Sequence, residues 1–95
     1  MKSLYIGVDF DGTVVHHKYP DIGEPVENCL EVLEDLQNLG HKLILITMRS
    51  EERLVDAVEY LEENGIKLLL IFHNWVNLQS QKILFSILKF YLIVW

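Results

Sequence analysis

The chain has 95 residues, of which 51% are hydrophobic and 23% are charged, so it is long enough for one small domain and too apolar for a disordered segment. Fourteen acidic and eight basic residues give a net charge of −6, which argues against a nucleic-acid partner because binding the phosphate backbone requires clustered Lys and Arg. A small phosphate ester remains compatible with this charge if a divalent cation lies between ligand and carboxylates.

Several features predict a cytoplasmic protein without disulfides. Cys29 is the single cysteine, so no intrachain disulfide can form. The first three residues lead directly into a strand-like run, with no secretory signal. Residues 83–95 are almost wholly apolar, but a bilayer-spanning helix needs ~20 residues, so no membrane partner is expected.

The first half of the chain predicts a strand, a loop and a helix. Residues 4–8 form a short apolar run that ends abruptly at Asp9, which is typical of a buried strand. Residues 14–24 carry loop and turn signals. A helix is expected to begin at Pro25, because proline suits the first helical position, and to end at Gly40.

Residues 42–72 repeat this order of strand and helix and add a third strand. Residues 42–46 predict a buried strand that closes on Thr47, Ser50 can cap a second helix that stops at Gly65, and residues 67–72 predict a third strand. Apolar strands that alternate with amphipathic helices indicate an α/β fold with a parallel sheet covered on both faces. Residues 1–95 are therefore expected to form a single domain.

Polar residues at two strand ends predict a site. Ligands of open α/β sheets bind beyond the carboxyl ends of the strands, where Asp9 and Thr47 are expected. Phosphoryl transfer needs a nucleophile, a proton donor for the leaving oxygen, and positive charge at the phosphoryl oxygens. Asp9 is placed to be the nucleophile and Asp11 the general acid and base, while Gly12 lets the backbone approach an anion and Thr13 can bond across the turn.

The residues at positions 8–13, V-D-F-D-G-T, resemble the first motif of the haloacid dehalogenase superfamily, hydrophobic-Asp-x-Asp-Gly-Thr. The second motif, a Ser or Thr that ends the next strand, is similar to residues 44–47. The resemblance covers residues 4–72 and implies a Rossmann-like three-layer sandwich. It also implies Mg²⁺-dependent hydrolysis of a small phosphate ester through an aspartyl-phosphate. Residues 14–24 leave no room for a cap domain, as in the capless subclass.

The same resemblance implies roles for individual residues. Asp9 and Asp11 would be catalytic and would hold Mg²⁺. The phosphoryl group would be bound by Gly12, Thr13, Thr47, Arg49 and Lys82, of which Lys82 stands for the lysine of the third motif. The adjacent histidines His16 and His17 are expected at the surface, with contact to substrate as a less favoured role and metal binding as the least favoured.

Residues 73–95 do not match the family. Its fourth motif is an acidic pair that completes the metal site, whereas this sequence has no Asp or Glu after Asn74. A truncation or a change of reading frame would explain both this absence and the apolar composition. An inactive relative that binds phosphate or a partner is therefore the alternative to an enzyme. A receiver-like domain is a weaker alternative. Its phosphoaccepting Asp typically lies at the third strand, where this chain has Phe72, His73 and Asn74.

The apolar composition of the C-terminal segment predicts that other parts of the protein, or a second chain, cover it. Burying each large side chain is worth ~1.5–3 kcal/mol, so residues 83–95 are expected to leave water. They would pack on the sheet as an added strand or a covering helix, or join two chains in a homo-oligomer.

Overall fold

A computed structural model of the protein describes residues 3–73 and 92–94. Within these ranges, four strands and two helices follow one another along the chain. Their bounds are β1 Tyr5–Asp9, α1 Cys29–Asn38, β2 Lys42–Thr47, α2 Glu51–Glu63, β3 Leu68–His73 and β4 Leu92–Val94.

All four strands run parallel in one sheet, in the order β3-β2-β1-β4. The α/β class and the three strands expected before residue 74 are thus confirmed, with bounds that differ by one residue. In the pairing of β1 with β2, Tyr5 lies opposite Lys42 and Asp9 opposite Ile46. The last residue of β1 therefore lies beside the end of β2, one residue before Thr47.

The hydrophobic core lies between the sheet and the helices. Strand residues such as Ile6, Val8 and Leu45 are almost fully buried, as are Leu33 of α1 and Leu61 of α2. Burying each such side chain stabilises the fold by ~1.5–3 kcal/mol relative to exposure. In the part of the chain that the structure describes, no helix is long and apolar enough to cross a membrane.

The helix ends confirm two sequence signals and correct a third. Gly40 and Gly65, at φ +94° and +81°, follow α1 and α2 as expected of C-terminal glycines. The predicted start of α1 at Pro25 is wrong, because the helix begins at Cys29. Pro25 instead forms an antiparallel bridge with Val15, and that pairing holds it in extended backbone.

Residues 14–26 form a compact hairpin-like loop. The Val26 amide donates to the Val14 carbonyl at 2.9 Å, and the His16 amide donates to the Glu24 carbonyl at 2.7 Å. Gly23 lies buried in this loop, where an added Cβ atom would overlap the main-chain carbonyl of His16. The loop thus has a fixed path.

The apolar C-terminal segment contributes a strand to the sheet, as one of the expected arrangements. Leu92–Val94 pairs with β1, with Gly7 opposite Ile93, so β1 is an interior strand. Residues 74–91 and Trp95, and with them the predicted phosphate ligand Lys82, lie outside the described residues.

Cutting the chain after Gln81 removes β4 and should cause aggregation or loss of cooperative unfolding. The reason is that β1 would present unpaired backbone groups along an edge with an apolar face. Thermal unfolding and light scattering measure the effect. A matched control cut after Val94 removes only Trp95 and should unfold cooperatively. A monomeric chain cut after Gln81 with an unchanged Tm would contradict a stabilising role for β4.

Candidate functional site

An open cleft of about 400 Å³ lies at the carboxyl ends of β1 and β2. This is the edge at which parallel α/β sheets bind ligands. The cleft combines four residues predicted from the sequence with three others, and it is lined by Asp9, Asp11, His17, Tyr19, Thr47, Met48 and Arg49.

Asp9 is the last residue of β1 and is partly buried. Burial raises the pKa of its carboxyl above the usual 3.8, and the charge of Asp11 adds to this rise. Hydrogen bonds from the Phe10 amide and the Thr13 hydroxyl oppose it, the latter donated to Asp9 Oδ2 at 3.3 Å. Asp9 is therefore a partly desolvated carboxylate held in a fixed orientation.

The turn after β1 reverses the chain tightly. Gly12 adopts φ +85°, a conformation that glycine reaches without steric cost. The Gly12 amide donates to the Val15 carbonyl at 2.7 Å, and the Thr13 amide donates to the Phe10 carbonyl at 3.2 Å. These two amides would contact a phosphate only after leaving their bonds within the turn, so their predicted role stays a prediction.

Thr47 ends β2 and is 3% exposed. Its Oγ1 accepts a hydrogen bond from the Arg49 amide at 3.1 Å. Because a hydroxyl both accepts and donates, its proton remains available for a second hydrogen bond. Thr47 thus has the chemistry expected of a group that binds a phosphoryl oxygen.

Arg49 has an environment that the sequence did not predict. Its side chain is only 1% exposed and forms a two-pronged ion pair with Asp11. Nε donates to Oδ2 and Nη2 to Oδ1, each at 2.7 Å. Hydrogen bonding to Asp11 raises the pKa of Arg49 further, so the guanidinium stays charged. Direct contact of Arg49 with phosphate stays a prediction.

The donor set for a metal ion is small. Among residues 3–73 and 92–94, no group of three His, Cys, Asp or Glu side chains is arranged to hold a metal. Both Asp11 carboxylate oxygens are engaged by Arg49, which leaves the Asp9 carboxylate and main-chain carbonyls as oxygen donors. A single carboxylate with main-chain oxygens is a sparse set, which Mg²⁺ could use only together with waters and substrate phosphate.

Three residues complete the rim of the cleft. Tyr19 and Met48 are about half exposed, at 53% and 51%. Neither carried a sequence signal, since Tyr19 lies in a loop without periodicity and Met48 only follows Thr47. His17 lines the cleft, whereas His16 is not among the lining residues. The rim thus offers an aromatic ring, a thioether and an imidazole to a ligand.

Comparison with known proteins gives one informative similarity. No protein-family model and no curated protein matches the chain. The solved structure of a conserved protein from Bacteroides thetaiotaomicron is similar, with 31% sequence identity and a TM-score of 0.66. The alignment covers 93% of this chain and 91% of that protein. The similarity therefore extends over nearly the whole of both chains.

Asp9→Asn should raise Tm at neutral pH, because an ionised carboxylate is partly desolvated at this position. Since the pKa of Asp9 is raised in the folded state, its contribution to stability is greatest below the usual pKa of 3.8 and is lost as pH rises through the folded value. The gain in Tm should therefore shrink as pH falls from neutral. Asp35→Asn, at an exposed position of α1, is the control. A gain that grows at lower pH would contradict the assignment.

Proposed function

We propose that this chain, which belongs to the same family as the conserved Bacteroides thetaiotaomicron protein, is a Mg²⁺-dependent phosphohydrolase of the capless haloacid dehalogenase type. Its architecture would be the Rossmann-like three-layer sandwich of that type. One observation carries the proposal: Asp9 and Thr47 end neighbouring parallel strands, and Asp11 lines the same cleft.

Asp9 is the nucleophile in this proposal. A carboxylate oxygen attacks the phosphorus, the bond from phosphorus to the leaving oxygen breaks, and its electron pair departs with that oxygen. The partial burial of Asp9 supports this role, because a carboxylate with fewer waters must shed fewer of them before it attacks. The bond from Thr13 orients the carboxylate.

Asp11 is the general acid and then the general base in this proposal. In the first step it gives a proton to the leaving oxygen. In the second step it takes a proton from a water molecule whose oxygen attacks the phosphorus, and the bond between Asp9 and phosphorus breaks to release inorganic phosphate. Support comes from the cleft that Asp9 and Asp11 both line.

The carboxylate of Asp9 and the main-chain carbonyl of Asp11 would hold Mg²⁺. When bound, Mg²⁺ supplies positive charge to the phosphoryl oxygens. The Thr47 hydroxyl would donate to one of these oxygens from its fixed position at the end of β2. The substrate would be a small phosphorylated molecule, since the cleft volume is about 400 Å³.

The alternative is a relative that binds phosphate without efficient turnover. It is favoured by the small set of carboxylates in the cleft, since residues 3–73 and 92–94 hold no group of three side chains arranged for a metal. Both proposals share the phosphate site and differ in whether Asp11 completes the reaction.

Beryllium fluoride, which mimics a phosphoryl group on a carboxylate, should bind at Asp9 when Mg²⁺ is present. Asp9→Asn should abolish this binding and all turnover of an aryl phosphate, while circular dichroism shows an intact fold. Fluorine NMR measures the binding and phosphate release measures the turnover. Asp35→Asn is the matched control and should change neither.

The outcomes separate the two proposals. Binding together with metal-dependent turnover supports the hydrolase, whereas binding without turnover supports the alternative. Beryllium fluoride binding that survives in the Asp9→Asn variant would contradict both.

Mg²⁺ should bind in the millimolar range or more weakly, which corresponds to a binding free energy of no more than roughly 4 kcal/mol. The reason is the small donor set of one carboxylate and main-chain oxygen. Isothermal titration calorimetry on the protein without phosphate tests this value. Micromolar affinity would contradict it and would show that a further carboxylate, from this chain or a second copy, completes the site.

A further inference from the structure

We propose that Arg49 is a positioning residue that holds Asp11, and the loop that rims the cleft, in the arrangement needed for proton transfer. This inference rests on the proposed function, because it concerns the acid and base step assigned to Asp11. It differs from the role of Arg49 as a phosphate ligand, which the sequence suggested.

The hydrogen bonds of Arg49 carry the inference. A guanidinium has five N–H donors, and all five are satisfied within the protein. Two form the fork to Asp11 at 2.7 Å. The other three are donated to main-chain carbonyls: Asp21 at 2.9 Å, Pro20 at 3.3 Å and Arg53 at 3.3 Å. Arg49 thus joins three segments: the turn after β1, the first part of α2, and the loop of residues 14–26 that rims the cleft, here called the rim loop.

Two aromatic rings complete the environment. The guanidinium carbon lies 5.2 Å from the centre of the Phe10 ring and 5.1 Å from that of Tyr19. Contacts of this kind favour a planar cation over the compact ammonium of lysine. Since Arg49 is both ion-paired and in contact with two rings, its guanidinium has one well-defined position.

Arg49 can donate to Asp11 in both proposed steps, through one oxygen when Asp11 is protonated and through both when it is ionised. When Asp11 carries the proton for the leaving group, one of its oxygens holds that proton and the other can still accept from Arg49. When Asp11 is the base, both oxygens can accept. Arg49 therefore keeps Asp11 oriented in both steps without taking part in either proton transfer.

The same side chain also holds the rim loop. Tyr19 and His17 line the cleft, and Arg49 donates to the carbonyls of the two residues that follow Tyr19. Loss of the guanidinium should therefore affect substrate binding through the loop and the proton step through Asp11. These two effects are separable, because the first changes KM and the second changes kcat.

The test compares Arg49→Lys, Asp11→Asn and the double variant on two substrates. The leaving group of 4-nitrophenyl phosphate departs without a proton, whereas that of an alkyl phosphate requires one. Asp11→Asn should lower kcat on the alkyl phosphate about a hundredfold or more, and much less on the nitrophenyl ester. Arg49→Lys should lower kcat about tenfold, with the same dependence on leaving group.

Combining the two changes separates positioning from general loss of structure. If Arg49 acts through Asp11, the double variant should have the kcat of Asp11→Asn alone. The rise in KM caused by Arg49→Lys should persist in both backgrounds. Arg53→Lys, at an exposed ion pair on α2, is the matched control and should change neither constant.

The inference is overturned if Arg49→Lys lowers kcat equally on both substrates or adds its full loss to that of Asp11→Asn. Turnover that survives Asp9→Asn, or wild-type protein without turnover, would instead overturn the proposed function. If Arg49→Lys does not fold, the exchange rate of the Arg49 Nε–H proton, measured by NMR in the wild type and in Asp11→Asn, tests the inference. That proton should exchange slowly in the wild type and at least tenfold faster in Asp11→Asn, and an unchanged rate overturns the inference.

Discussion

The parallel pairing of β1 with β2 is the constraint on which the site depends. Side chains alternate between the two faces of a strand, so a slip of one residue would turn Asp9 away from its present face. The register is favoured at the strand starts, where the exposed residues Tyr5 and Lys42 lie opposite each other and a slip would move one of them toward a buried position. The register that packs the core therefore also places the polar groups at the strand ends.

A buried charge is the second organising element. Removing a guanidinium from water is unfavourable unless its donors are paired, and breaking a buried pair by deleting one partner costs about 3–5 kcal/mol. In this fold the pairing for Arg49 comes from one carboxylate and three main-chain carbonyls. Two of those carbonyls, from Pro20 and Asp21, belong to the loop before α1, so the charge gives this irregular segment a defined geometry.

The sequence was most informative where local physics decides the outcome. Continuous apolar runs gave the strands, and Gly40 and Gly65 gave the ends of both helices, because glycine relieves the left-handed backbone found there. The start of α1 was missed because Pro25 is compatible with both a first helical turn and an extended bridge. Pairing with Val15, ten residues earlier, decided between them.

In the candidate site, too, local motifs were predictable and contacts between distant residues were not. Asp9, Asp11 and Thr47 follow from a strand-end motif and were predictable. The environment of Arg49 was not, since its partners lie 28 to 38 residues away along the chain apart from Arg53. Tyr19 and Met48 reach the cleft through the path of a loop and the end of a strand, which no periodicity encodes.

Gly23 has a consequence for how the chemistry of the rim can vary. No larger residue fits there without displacing the His16 carbonyl, and that displacement would open the loop at its base. The exposed position of His17, which lies between them, carries no such restriction. Mutation of His17 can therefore alter what the cleft recognises while the backbone of the loop stays the same.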